Sequence, residues 1–316
     1  MGVFVFLPLL LPLSAWPVAR LAAHRLHPRA ATRLLTVFAV VLAVCSTLCL
    51  ALLMVVGTAQ LPGNPLPDGW SDPEVRAAVP YDEIAGRAAI PALGAVLVAC
   101  LHAVARHLGV RRRAERALAG LPGRCSVAVL PDPAPYAYAL PGWGRRKDRV
   151  VVSTGMLGSL GPAERRAVFA HERAHLTARH HRHLLAVQLA ARANPFLRPL
   201  RTAVAYTAER WADEEAAAAV GSRRTVARAV ARAALIAAPA PRTGALAHVS
   251  GGGAGPVPRR VAALLGPAPA RPAWPPLCTA AGMAVWSAAV GATLSALSSA
   301  NSAVTLFLVL RAATPM

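Results

Sequence analysis

Acidic residues are scarce in this 316-residue chain: 14 Asp and Glu stand against 34 Lys and Arg, a formal net charge of +20. Charge of either sign is thin as well, at 15% of residues, where an ordinary soluble domain carries roughly 25%. Cysteines number only 5 and are scattered, which excludes a disulfide scaffold. What fills the space is apolar: 55% of residues are hydrophobic, which excludes intrinsic disorder. A basic excess ordinarily raises nucleic acid as a partner. In a chain this apolar it reads first as the positive-inside signal of a membrane protein, and nucleic acid is not expected as a partner.

The positions of the charges bear this out. Leu34 to Val56 holds no charged residue, enough for a helix across a hydrocarbon core that needs about 20 residues. Ala88 to Ala105 is a second such run, with His102 its only titratable group. Val3 to Ala19 is a third, interrupted by Pro8, Pro12 and Pro17. No basic residue precedes it, so it is expected as a kinked span rather than a cleaved leader. Leu277 to Leu310 forms a fourth, with Ser298–Ser302 a candidate break. Arg20, Arg25, Arg29 and Arg33 lie between the first two spans, and Arg106, Arg111, Arg112, Arg113 and Arg116 follow the third. These basic flanks put the 57–87 loop outside and residues 106–271 in the cytoplasm.

Within the cytoplasmic segment, Ser126–Leu130, Tyr136–Leu140 and Arg149–Ser153 read as strands or extended stretches between turns. Gly161-Pro162 with Glu164 then opens a long helix expected to continue past Leu184. It carries His171-Glu172-Arg173-Ala174-His175. Residues four apart share a helix face, so both imidazoles can reach one Zn²⁺. Glu172 is displaced one position round; it is placed to take a proton from water as general base rather than to ligate. The pattern suits amide hydrolysis with one zinc ion per chain.

Such a site needs a third protein ligand. His181 has the ten-residue spacing of metzincin sites, but Ala178 stands where those have the glycine that lets the backbone return. The favoured candidate is Glu209, on a second alanine-rich helix ending near Gly221. Asp213 lies one turn further on the same face, where it can hold a ligand imidazole by its second nitrogen. Residues 238–276, rich in Pro, Ala and Gly, read as a flexible connection with a short helix near Arg259–Leu265. Arg223 and Arg224 are expected at the solvated or headgroup surface.

The succession Val150-Val151-Val152-Ser153-Thr154-Gly155-Met156-Leu157, Glu164, His171-Glu172-Arg173-Ala174-His175, Glu209 and Asp213 resembles the BlaR/MecR group of integral-membrane metallopeptidases. It is similar, more distantly, to the HtpX and CAAX-processing membrane proteases. The resemblance implies a gluzincin site of His171, His175 and Glu209 with Glu172 as base. It also implies a protein or peptide substrate added as a strand along Tyr136, Ala137, Tyr138, Ala139 and Leu140, and a repressor-type regulator as one candidate substrate. Only about six residues follow Leu310, so a full-type β-lactam sensor with a penicillin-binding domain is not expected.

The expected fold is mainly α: a polytopic membrane protein with about four transmembrane helices and a cytoplasmic α+β zincin-like peptidase domain. Residues 1–106 would hold three spans and the external 57–87 loop, 107–265 the peptidase, 266–276 a linker and 277–310 the last span. The expected activity is that of a zinc endopeptidase of the bacterial-type cytoplasmic membrane, embedded in the lipid bilayer, with a regulatory role. The competing reading is a non-proteolytic membrane signal transducer with a structural zinc. A base beside the metal argues against it, because a structural site has no use for one.

Overall fold

The computed structural model describes residues 6–63, 66–71, 82–119, 126–142, 147–236, 257–269 and 278–314. The chain begins as three short helical pieces rather than one: α1 (Leu7–Leu10), a 3-10 turn over Leu11–Ser14, and α2 (Ala15–Arg25). Pro8 and Pro12 each sit at the start of a new piece, where the missing N–H removes no helical bond. The kinked stretch expected over 3–19 is helical from residue 6 onward and divided into pieces at the prolines, with residues 3–5 outside the described part.

Three helices among the described residues are long and apolar enough to cross a membrane, not about four. They belong to α3 (Pro28–Ala59), α4 (Asp82–Ala117) and the last helix, α11 (Ala280–Ala312). The last runs unbroken through Ser298–Ser302, so that expected break does not occur. α3 is the hub: 44% of its most apolar stretch is buried, against 11% in α4 and 22% in α11. Leu97, Val98, Leu101, Val290, Leu297 and Phe307 are exposed on the outer helices, as a lipid-facing surface requires. At one end of the bundle α3 and α4 touch backbone to backbone. A Cβ on Gly57 would lie 2.2 Å from the carbonyl carbon of Gly86, so only glycine fits that crossing.

α4 is longer than the expected span of 88–105. At 1.5 Å per residue its 36 residues extend about 54 Å, and its basic end packs on a small sheet. The strands are β1 (Val127–Leu130), β2 (Ala137–Leu140) and β3 (Arg149–Ser153), in the order β1-β3-β2. β1 runs parallel to β3 and β2 antiparallel to it. Val110, Ala114 and Leu118 of α4 form one core with Tyr136, Tyr138, Leu140 and Val151. Beyond β2, Arg111 of α4 donates to the Pro141 carbonyl at 2.7 Å.

After α5 (Thr154–Ser159), α6 (Pro162–Thr177) starts as its sequence dictates. Pro162 occupies the first turn, and Glu164 accepts from the Gly161 N–H at 2.9 Å. It does not continue past Leu184. Arg179 takes a left-handed conformation (φ 52°) and separates α6 from α7 (His180–Ala193). A 3-10 turn leads to α8 (Arg198–Val220), which Gly221 ends in the left-handed region. α7 and α8 share a core with α2 and α3 through Leu184, Val187, Leu200 and Val204 against Leu35, Phe38 and Leu42.

α9 (Arg223–Ile236) and α10 (Val257–Leu265) complete the fold. Arg223 is not a surface cation. It is partly buried, pairs with Glu214 and donates to the carbonyls of Ala263 and Gly266. Nor is α10 only a bead on a tether: Leu264 is 1% exposed, in a core with Ala167, Ala216, Val226 and Ala229.

Candidate metal centre

Four histidine and carboxylate side chains from α6 and α8 meet in the protein. The two helices pack against each other, and Ala167, Ala174, Ala208 and Ala216 on them are buried. Small side chains there let the helices approach closely enough for short carboxylates to reach across. His171 Nε2 and His175 Nε2 lie 3.1 Å apart. Glu209 reaches both, with Oε2 at 3.4 Å from His171 Nε2 and Oε1 at 3.5 Å from His175 Nε2. Three ligands bonded to one tetrahedral Zn²⁺ at about 2.0–2.1 Å would be separated by about 3.3–3.4 Å. The imidazole nitrogens lie 3.1 Å apart, and the Glu209 carboxylate faces each ring with a different oxygen at 3.4 and 3.5 Å; one ligand atom from each of the three residues lies within 4.8 Å of the others. Two imidazole lone pairs converging with a carboxylate suit a cation between them, so the donor set fits a divalent cation such as zinc by its chemistry. Among the described residues this is the one group of three or more such side chains spaced to hold a metal ion.

Asp213 stands one turn beyond Glu209 and is fully buried, with Oδ1 3.1 Å from His171 Nδ1. Glu172 lies beside the cluster. Burial pushes its carboxyl up to about 7, opposed by His171 and by the backbone N–H of Ala139. Burial alone would also raise Glu209, but Arg260, His175 and His171 hold it down to about 2. The same opposition leaves Asp213 well below the usual carboxylate range, with Arg260 and His171 outweighing burial. Burial lowers His175 to about 4. It disfavours charge on His171 too, yet Asp213 and Glu209 carry that ring up to about 10. The carboxylates thus draw positive charge to the point where the imidazoles meet.

Among the described residues β2 pairs with β3 alone. Tyr136 accepts from Ser153 N–H, so alternation turns the backbone groups of Ala137 and Ala139 away from β3. Ala139 spends its N–H on Glu172. The side chains of Tyr136 and Tyr138 are buried on the sheet. The strand therefore offers backbone, not aromatic faces, to whatever lies along it.

Two residues that sequence reading left aside belong to the site. Arg260 of α10 donates to Asp213 through Nε (2.9 Å) and Nη2 (2.6 Å). Its Nη1 also lies 2.9 Å from Glu209 Oε2. No spacing rule points to it, because its partner lies 47 residues upstream. His180 is fully buried with Nδ1 2.9 Å from His175 Nδ1. No sequence signal points to it, because Ala178 and Arg179 are good helix formers and the turn at Arg179 appears only in the fold. His181, the alternative third ligand, takes no part in the cluster.

His171 and His175 on one helix and Glu209 on a second thus form a cluster that could hold a metal ion, with Glu172 and Asp213 beside it. In agreement, residues 105–192 match the family model of Peptidase family M48. The match spans the end of α4, the sheet, α6 and most of α7, and stops before Glu209. It supports a metallopeptidase of that family, and nothing in it singles out the BlaR/MecR group or HtpX. No curated protein and no solved structure matches the chain.

Proposed function

We propose that the chain is a membrane-embedded, zinc-dependent endopeptidase. His171, His175 and Glu209 would hold the ion, and Glu172 would act as general base. The observation that carries this is the convergence of His171, His175 and Glu209, with the imidazole nitrogens 3.1 Å apart and a Glu209 oxygen 3.4 or 3.5 Å from each, and the Glu172 carboxylate beside them. Zinc, when bound, supplies Lewis acidity, polarising a scissile carbonyl and making water more acidic.

The chain's own residues do the rest. Glu172 takes a proton from the attacking water, and its raised pKa lets it hold that proton and return it to the leaving amine. Asp213 keeps the His171 ring turned to the ion, and Arg260 balances the two buried carboxylates while fixing their rotamers. An extended peptide adds to the free edge of β2 through the outward N–H and carbonyl of Ala137 and the carbonyl of Ala139. The basic flanks of α3 and α4 put this face on the cytoplasmic side. Its substrates are then cytoplasmic or membrane-proximal proteins, with a repressor-type regulator as one candidate and regulatory signalling as the role.

The full chain, purified in detergent, is expected to contain one equivalent of zinc and to cleave peptides from an unbiased fluorogenic library. Glu172→Gln is expected to keep the zinc and lose cleavage. Cleavage by that variant at the wild-type rate would overturn the mechanism. A chain that loses function only when His171 is removed would make the zinc structural.

A further inference from the structure

The two imidazoles of the proposed metal centre are backed by different groups. His171 turns Nδ1 to the Asp213 carboxylate. His175 turns Nδ1 to another imidazole, the Nδ1 of His180, at 2.9 Å. His180 opens α7 directly after the left-handed Arg179, and that reversal of the chain is what brings the ring under α6. It meets His175 edge to face, with centroids 4.8 Å apart at 83°. On its other side it meets Trp211 of α8 at 4.7 Å and 63°. Trp211 is itself fixed. Its Nε1 donates to Glu215 at 3.0 Å, and Arg29 and Arg33 from the basic end of α3 lie 5.5 and 5.3 Å from its ring.

A nitrogen–nitrogen contact of 2.9 Å is a hydrogen bond only if one ring brings a proton and the other a lone pair. A neutral His175 that offers Nε2 to a cation carries its proton on Nδ1. His175 is then the donor and His180 the acceptor, which puts the proton of His180 on Nε2. That Nε2 has no hydrogen-bond partner among the described residues. Leaving a buried polar atom unpaired costs about 1–3 kcal/mol, a penalty that an apolar ring packed against Trp211 would avoid. A position needed only for packing has no reason to bear it.

We propose that His180 is a positioning residue for the metal ligand His175: a neutral acceptor that fixes the tautomer and ring orientation leaving Nε2 free for the ion. The proposal rests on the metallopeptidase reading above. It divides the support of the centre between a carboxylate on one imidazole and an uncharged ring on the other. It also ties the second support, through Trp211, to the end of α3.

The test uses the full chain in detergent and reads Zn²⁺ affinity by competition with a chromophoric chelator. His180→Phe keeps a ring and removes the acceptor, and it is expected to weaken Zn²⁺ binding about 10- to 100-fold. His180→Asn supplies a carbonyl oxygen that can accept from Nδ1–H, and it is expected to recover most of that loss. Wild-type affinity in His180→Phe would overturn the proposal while leaving the metallopeptidase reading intact. Equal weakening in the Phe and Asn variants would overturn it too, since the position would then be one of fit alone. A second readout needs no variant: ¹⁵N NMR of histidine-labelled wild-type chain is expected to show His175 protonated at Nδ1 and His180 at Nε2. The reverse assignment sinks the proposal. A wild-type chain that binds no zinc would show instead that the metallopeptidase reading has failed.

Discussion

Polar groups are satisfied in opposite ways in the two halves of this molecule. Along α3 and α11 the hydroxyls of Thr36, Thr47, Thr58, Thr293 and Thr305 fold back onto carbonyls one turn earlier in their own helix. No neighbour is needed, and such side chains depend on little beyond the helix that bears them. At the metal centre every charged group is satisfied from another element: Asp213 of α8 by Arg260 of α10 and His171 of α6, and Glu209 by the same arginine. The long helices of the bundle have the length and apolar composition of membrane spans. The centre sits where several charges are buried together, and removing one partner leaves the others exposed to a low dielectric.

That difference sets the order of the expected effects. The largest is at the base: Glu172→Gln is expected to lower kcat by about 10²- to 10⁴-fold with zinc content unchanged, read by metal analysis beside peptide cleavage. On the proposed mechanism Glu172 works only when deprotonated. With its pKa raised to about 7, kcat/KM is expected to climb with pH on an acidic limb no higher than that value, and a bound cation would move the limb lower. A limb well above 7 would assign the titration to another group.

Next comes the clamp. Arg260→Met leaves two buried carboxylates uncompensated, a loss of about 3–5 kcal/mol, seen as a lower melting temperature of the metal-free chain. Arg260→Lys is not expected to restore it, because a single ammonium cannot make the two-pronged contact to Asp213 and also reach Glu209. If the lysine variant melts like the wild type, the charge matters and the fork does not.

Smaller again is the helix crossing. Gly57→Leu forces α3 away from Gly86, and overpacking of this sort costs about 1–3 kcal/mol. Thermal unfolding in detergent should fall while zinc stoichiometry holds, which would separate bundle from centre. The smallest effect is expected on the lipid face: Leu97→Ile, at a residue 59% exposed, should change stability by no more than about 0.5 kcal/mol. A large loss there would mean that α4 is packed against a partner rather than lipid.

Much of this organisation is legible along the chain, and the reasons differ by element. Uncharged runs announce α3, α4 and α11 because transfer into hydrocarbon depends on composition alone. The three strands fall where turns and β-branched residues put them, and Pro162 and Gly221 mark helix ends because their backbone rules are local. The spacing of His171, Glu172 and His175, and of Glu209 and Asp213, is read through helical periodicity. The region after α9 misled: its Pro, Ala and Gly content resembles a tether, and nothing local tells that Leu264 is buried or where Arg260 points.

The amino-acid order by itself determined which residues face one way on each helix, and so which groups are able to share an ion. Only the tertiary structure decided that α6 and α8 lie close enough for their donors to converge. It alone turned the chain at Arg179 so that His180 meets His175, and brought α10 across α8 so that one guanidinium holds two carboxylates. Periodicity is a property of neighbours a few residues apart. The meeting of groups 40 or 50 residues distant is set by how buried surfaces and charges are jointly satisfied, and no local pattern records that.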